Sequence, residues 1–343
     1  MSDRELISAK DAVPPFYAGI DLGGTNIKCG VVDDQGRPLA YVATDSQIER
    51  GPEQGARRMA DTVRQAVSEA GLTMQQIASV GLATPGTMDI PSGMLLHPVN
   101  LPGWHDFPIR DRVAHYTQRP VVYANDANAA AFGEFWVGSG AQYHSMIMLT
   151  LGTGVGGGII VNGETIDGEN SHGSECGHII IDCRDDARVC SCGHTGHLEA
   201  YASATALARR THQALDTGRS SSLAALRKEG RELTALRVHE AAEAGDEFAL
   251  EIILETARYL GIGITTLLHT IDPAAVVLGG AMNFGGNANP IGNLFINRIK
   301  QEVTLRAFPI ISQQVSIDFA SLGGDAGYLG AAGVARFQEQ KGR

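Results

Sequence analysis

Tyr17-Ala-Gly-Ile-Asp21-Leu-Gly-Gly-Thr25-Asn-Ile-Lys-Cys-Gly-Val-Val32 decides how this chain is read. Tyr17 to Asp21 predicts a strand, Gly23-Gly24 a turn and Ile27 to Val32 the returning strand, so the segment is a β-hairpin and not a strand entering a helix. The same arrangement recurs after a strand from Ser145 to Leu151, where Gly152-Thr-Gly-Val-Gly-Gly-Gly158 leads into Ile159-Ile160-Val161 and a turn at Asn162-Gly163. Glycine lets backbone N–H groups come close to an anion and adopt positive φ, so such hairpins can cradle phosphates without a Walker lysine. Either one alone is equally an ordinary tight hairpin; the pair points to a nucleotide tail. In the first, Gly23 and Gly24 offer main chain, Asp21 a carboxylate for water-bridged Mg²⁺ and Thr25 a hydroxyl. In the second, Gly152, Thr153 and Gly154 offer mostly main chain.

Around the hairpins the pattern is that of α/β layers. Arg57 to Ala70 has helical spacing, Ile77 to Ala83 and Pro120 to Ala124 are short strands, and a helix follows from Ala127 to Trp136. Tyr201 to Leu215 and Phe248 to His269 are the best long helices, Ala274 to Leu278 is a buried-type strand, and Ala326 to Gln338 closes the chain as a helix. Gly218 to Arg231, rich in Ser and charge, reads as surface turns. A length of 343 residues favours two lobes with a cleft, set at 14–126 plus 325–343 and at 127–324.

The formal charge of −11 repels a phosphate backbone, so nucleic acid is not expected as a partner. Residues 1–13 lack the apolar core of a signal peptide and no stretch approaches a membrane span, which predicts a cytoplasmic protein without a membrane partner. Cys176, Cys183, Cys190 and Cys192 crowd one segment beside several histidines. In a reducing compartment that clustering reads as metal binding. His178, Cys190, Cys192 and His197 would make a closed N₂S₂ set for a structural Zn²⁺; free thiols and core histidines are the alternative.

Asn125-Asp126 stands where a buried strand ends and a helix begins. As an N-cap, Asp126 would stabilise the helix by about 1 kcal/mol. As an ionised carboxylate at that positive helix end it would also suit a base that orients a sugar hydroxyl and takes its proton during phosphoryl transfer.

These hairpins, Asn125-Asp126-Ala-Asn-Ala-Ala, Glu175-x-Gly-His178 and Cys190-x-Cys192-Gly-x-x-Gly, in this order, resemble the ROK family (repressor, open reading frame, kinase) from about Tyr17 to the end. The resemblance implies a two-lobed actin-like ATPase/sugar kinase fold, ribonuclease H-like, whose last helix packs on the first lobe. It implies ATP-dependent transfer to the 6-hydroxyl of glucose, with Asp126 as the base. Asn125, Glu175, His178 and Glu199 would bind sugar hydroxyls, and Gly86 would add main chain. Glu199 at a helix start is otherwise a favourable dipole charge. His178 would face both zinc and sugar. Asn100, in Pro98-Val-Asn-Leu-Pro-Gly-Trp104, resembles the family loop near the sugar, and Gly279-Gly280 the turn along adenosine.

The family has a third cysteine where this chain has His197, so Cys176, Cys183, His172 and His194 stay open as competing fourth ligands. N-acetylglucosamine, N-acetylmannosamine, mannose and fructose kinases share the pattern, and polyphosphate is a second donor to consider. A sugar-responsive repressor is the rival of another class; about sixteen residues before the first strand are too few for its helix-turn-helix. A homodimer is implied by the family.

Overall fold

The computed structural model describes residues 5–98 and 100–342; Val99, inside the expected sugar loop, lies outside them. In chain order the elements are β1 Phe16–Leu22, β2 Asn26–Val32, β3 Pro38–Asp45, α1 Pro52–Glu69, β4 Ile77–Thr84, β5 Met88–Asp89, β6 Met94–Leu95, α2 Ile109–Thr117, β7 Val121–Asn125 and α3 Asp126–Val137. There follow β8 Met146–Leu151, β9 Val155–Val161, β10 Glu164–Thr165, α4 Glu199–Ala202, α5 Ala204–Asp216, α6 Leu223–Lys228, α7 Ala235–Glu243 and α8 Glu247–Ile271. The chain closes with β11 Ala275–Gly279, α9 Pro290–Arg306, α10 Pro309–Gln314, β12 Ser316–Phe319 and α11 Ala326–Lys341. Two compact units result: residues 1–142, 158–174 and 321–343, and residues 143–157 and 175–320.

The first unit is built on a sheet in the order β3-β2-β1-β4-β7, with β1 antiparallel to β2 and parallel to β4. Alternation along β1 sends Ala18, Ile20 and Leu22 into a core with Met59, Val63 and Val67 of α1, while Tyr17 joins Tyr328, Leu329 and Ala332 of α11. Each fully buried side chain of the Leu or Val size contributes about 1.5–3 kcal/mol by leaving water. Close backbone approach explains the glycines here. A Cβ at Gly19 would stand 1.9 Å from the Tyr328 carbonyl oxygen, and one at Gly330 only 1.6 Å from that of Ala129 in α3.

Buried Glu134 near the end of α3 accepts hydrogen bonds from Ser139 N at 2.8 Å, Ser321 N at 2.9 Å and Leu322 N at 2.7 Å. This stitches α3 to the turn that launches α11. The first unit takes in α3 and residues 158–174, where the sequence reading set the lobe boundary after Asp126.

The second sheet runs β10-β9-β8-β11-β12, with β11 parallel to both β8 and β12. In the second unit, α8 buries Phe248, Ile252, Ile253, Leu260, Ile264 and Leu268 along one stripe and is capped by Asp246, which accepts from Ala249 N at 3.0 Å.

Two local expectations fail. The helix expected from Tyr201 to Leu215 is broken at Ser203, whose extended backbone and Oγ, accepting from Ala206 N at 3.1 Å, end α4 and begin α5. The supposed turn region 218–231 contains α6, anchored by the fully buried Leu223 and by Ser221 and Ser222 on Asp246. Among the described residues no helix is long and apolar enough to cross a membrane.

Candidate active site and metal cluster

The first glycine hairpin forms as the pattern requires: Asp21 pairs with Lys28 and Leu22 with Ile27 across β1 and β2, and Gly23 N donates to Asn26 O at 2.9 Å. Burial pushes the Asp21 carboxyl above its ordinary value, and the Lys28 ammonium partly offsets that. A divalent cation would favour the ionised form further. Ser46, which sequence reading passed over, buttresses the turn: its Oγ donates to Gly24 O at 2.8 Å and its N to Thr25 O at 2.9 Å. A Cβ at Gly24 would lie 3.4 Å from Asn100 O, so the loop expected near the sugar abuts the first glycine hairpin. Gly86 is exposed with φ +94°, and a side chain there would run into Pro98 Cα at 2.5 Å. That loop ends on Trp104, fully buried and donating Nε1–H to Ile48 O at 3.0 Å.

Asn125 and Asp126 are half-buried where β7 gives way to α3. The cap is Asn125, not Asp126: Asn125 Oδ1 accepts from Ala127 N at 2.9 Å and Asn128 N at 3.2 Å. Asp126 is the first helical residue, and its Oδ1 takes Ala127 N at 2.8 Å. The carboxylate therefore sits at the positive end of the helix, and Asn125 Nδ2 is left to donate elsewhere.

The second hairpin is closed by Gly152 N on Gly154 O at 3.0 Å, and α5 starts on it through Ala204 N to Gly152 O at 2.9 Å and Thr205 Oγ1 to Thr153 O at 2.8 Å. Gly279-Gly280 is brought to the same place. Gly280 has φ +90°, and a Cβ there would be 2.3 Å from Leu151 O. Glu199 bridges this hairpin to the cysteine loop: Oε2 accepts from Val155 N at 3.0 Å, and Oε1 accepts from Ser191 Oγ and from Cys190 Sγ at 3.5 Å.

His178, Cys190, Cys192 and His197 converge, with their ligand atoms all within 4.8 Å of one another. His178 Nδ1 and His197 Nδ1 are 3.3 Å apart, Cys192 Sγ to His197 Nδ1 is 3.2 Å, and Cys190 Sγ to His178 Nδ1 is 3.8 Å. A tetrahedron with the usual zinc–nitrogen and zinc–sulfur lengths has edges of about 3.3–3.8 Å. The donor set fits that ion in number, type and spacing. Cys176, Cys183, His172 and His194 are not in the group, and burial holds the Cys176 thiol up at about 12. With Nδ1 turned into the cluster, His178 presents Nε2 toward Glu175, 3.9 Å from Oε2. Burial, and then the neighbouring His178 and His194, lower the His197 pKa and so favour its neutral, metal-binding form.

The chain is similar to known proteins over almost its whole length. The chain is 35% identical over 324 residues to a glucokinase of Halalkalibacterium halodurans, covering 94% of this chain and 96% of that one. It superposes on the crystal structure of a ROK hexokinase from Thermus thermophilus with a TM-score of 0.80 at 33% identity, covering 95% and 99% of the two chains. A ROK glucokinase from Streptomyces griseus, solved in complex with glucose and AMPPNP, matches with a TM-score of 0.72 at 32% identity over 94% and 99%. The ROK family profile matches residues 17–338, and with two-lobed sugar kinases as its structural neighbours the chain belongs to the ROK family.

Proposed function

We propose that this protein is an ATP-dependent glucokinase that transfers the γ-phosphate to the 6-hydroxyl of glucose. The observation that carries this reading is the intact Asn125-Asp126 start of α3 in a chain that aligns with a glucokinase over 94% of its length. Asp126, at the positive end of the helix, orients the sugar hydroxyl and takes its proton as the phosphoryl group arrives. In phosphoryl transfer such positioning matters more than basicity. Asn125 Nδ2, Glu175, His178 Nε2, Glu199 and the Gly86 and Asn100 loops bind the sugar. Gly23, Gly24 and Thr25, Gly152, Thr153 and Gly154, and the Gly279-Gly280 turn bind ATP through main chain and hydroxyls. Asp21 holds a water of the nucleotide's Mg²⁺.

Zinc, when bound by His178, Cys190, Cys192 and His197, supplies a structural anchor. The protein's own part is to turn His178 so that Nδ1 faces the cluster and Nε2 the sugar, which sets the tautomer of a substrate ligand. We place the enzyme in the cytoplasm, where its five free cysteines stay reduced. We further assign it as a homodimer, in which exposed Leu305, Phe308 and Ile310 offer apolar surface for a second copy to cover.

A coupled ADP-release assay over glucose, mannose, fructose and N-acetylhexosamines, with ATP and polyphosphate as donors, tests the assignment. Glucose with ATP is expected to give the highest kcat/KM. A preference for an N-acetylhexosamine or for polyphosphate would replace it.

A further inference from the structure

On the first unit, the end of β3 and the exposed side of α1 enclose a groove of about 350 Å³ lined by Arg50, Arg57 and Arg58. Three guanidiniums on one groove stand out in a chain of net charge −11. The lining carboxylate, Asp61, pairs with Arg64 Nη1 at 2.5 Å, and the Glu53 carboxylate acts on Arg57, so Arg50 and Arg58 carry the groove's unpaired positive charge. Arg57 Nε donates to Tyr116 Oη at 3.1 Å and its guanidinium lies 5.0 Å over that ring, while Arg58 Nε donates to Asp45 O. These contacts turn Arg57 toward Tyr116 and Glu53 and hold Arg58 by Nε alone, leaving the terminal nitrogens of Arg58 without a hydrogen bond among the described residues. Arg50 has no side-chain hydrogen bond or ion pair among the described residues. Beside them Gln47 Oε1, also on the groove, is buried without a hydrogen-bond donor. A fitting ligand therefore brings an anion for planar guanidinium forks and a hydroxyl for Gln47.

We propose that this groove is a second anion site that takes the phosphate monoester of a polyol, such as a hexose phosphate, apart from the two glycine hairpins. Its rim is wired to the hairpin and to the Trp104 loop. Ser46 holds Gly24 O at 2.8 Å, and Ile48 O receives Trp104 Nε1 at 3.0 Å, so a ligand on residues 47–50 bears on both. A hexose kinase yields such a monoester, but recognition here rests on the arginines and Gln47 and not on which sugar is phosphorylated.

Titration calorimetry of the full chain at low salt, with glucose 6-phosphate as the probe and AMPPNP filling the nucleotide site, tests this. One equivalent is expected to bind, about tenfold more tightly than orthophosphate because of the added hydroxyl contact. Arg50→Gln and Arg58→Gln should each weaken it about tenfold. Arg50→Gln breaks no bond among the described residues, so an unchanged melting temperature separates lost binding from lost fold. No binding, binding indifferent to both substitutions, or orthophosphate or tripolyphosphate binding as tightly as glucose 6-phosphate would overturn the proposal.

Discussion

Glu199 Oε2 accepts a hydrogen bond from the Val155 amide at 3.0 Å, while its other oxygen receives Ser191 Oγ. One carboxylate thus joins the glycine hairpin at 152–156 to the cysteine loop at 190–192. If Glu199 acted on the sugar alone, its loss would raise the KM for glucose and leave ATP unaffected. Because it also braces Val155, Glu199→Gln is expected to weaken nucleotide binding too, by about tenfold, the scale of one charge-assisted hydrogen bond. AMPPNP binding measured without sugar checks this, and an unchanged Kd would refute it.

The split of roles between Asn125 and Asp126 makes a paired prediction. Asn125→Ala removes the side chain that caps α3 and should lower stability by about 1 kcal/mol. Asp126→Asn should keep the fold and bind glucose, yet lose about 10²–10⁴ in kcat. Thermal melts and steady-state kinetics on both variants separate the two. Near-normal turnover in Asp126→Asn would remove it as the base.

One zinc per chain is expected by elemental analysis. His197→Cys should retain the ion, since a thiolate fits the same tetrahedral corner, whereas His197→Ala should lose it and weaken glucose binding more than AMPPNP binding. A metal-free preparation with full activity would show that His178 needs no such anchor.

Acid stability should depend on Asp33. It is fully buried, and although burial alone would raise its pKa, hydrogen bonds from Arg37 and from the amides of Val13, Arg37 and Gln35 lower it on balance below 3.8. Its contribution is therefore complete above that ordinary value and is lost as pH falls through the lower folded one. Asp33→Asn should destabilise the protein at pH 7 by about 1–2 kcal/mol, because it weakens the charge-assisted hydrogen bonds while the partly exposed Arg37 keeps the Asp11 carbonyl, and should flatten the acid limb of the stability curve. Denaturant melts between pH 2 and 7 measure both effects.

Much of this was legible before folding. The glycine hairpins, the end of β7 and the Cys-x-Cys loop are short local patterns, in which backbone freedom, strand alternation and ligand type are properties of neighbouring residues. The unbroken helix expected over 201–215 failed because Ser203 reads as a tolerable helix residue until its hydroxyl meets Ala206 N. The cap was assigned one residue late, since Asn and Asp are equally good caps and only the chain's direction at the end of β7 separates them.

Residue identity and spacing were thus enough for two glycine hairpins, a carboxylate at a helix start and four clustered His and Cys side chains. Folding chose among them. His197 is a ligand candidate and His194, three residues away, is not, because loop geometry turns one ring onto His178 and Cys192 and leaves the other outside. Likewise Glu199 meets Val155 across 44 residues of chain, Ser46 reaches Gly24 across 22, and the Trp104 indole finds Ile48 O across 56. Contacts at such separations depend on how sheets and helices stack. No local pattern encodes them, since any of many polar side chains of the right type would read the same until the backbone brings one within 3 Å of its partner.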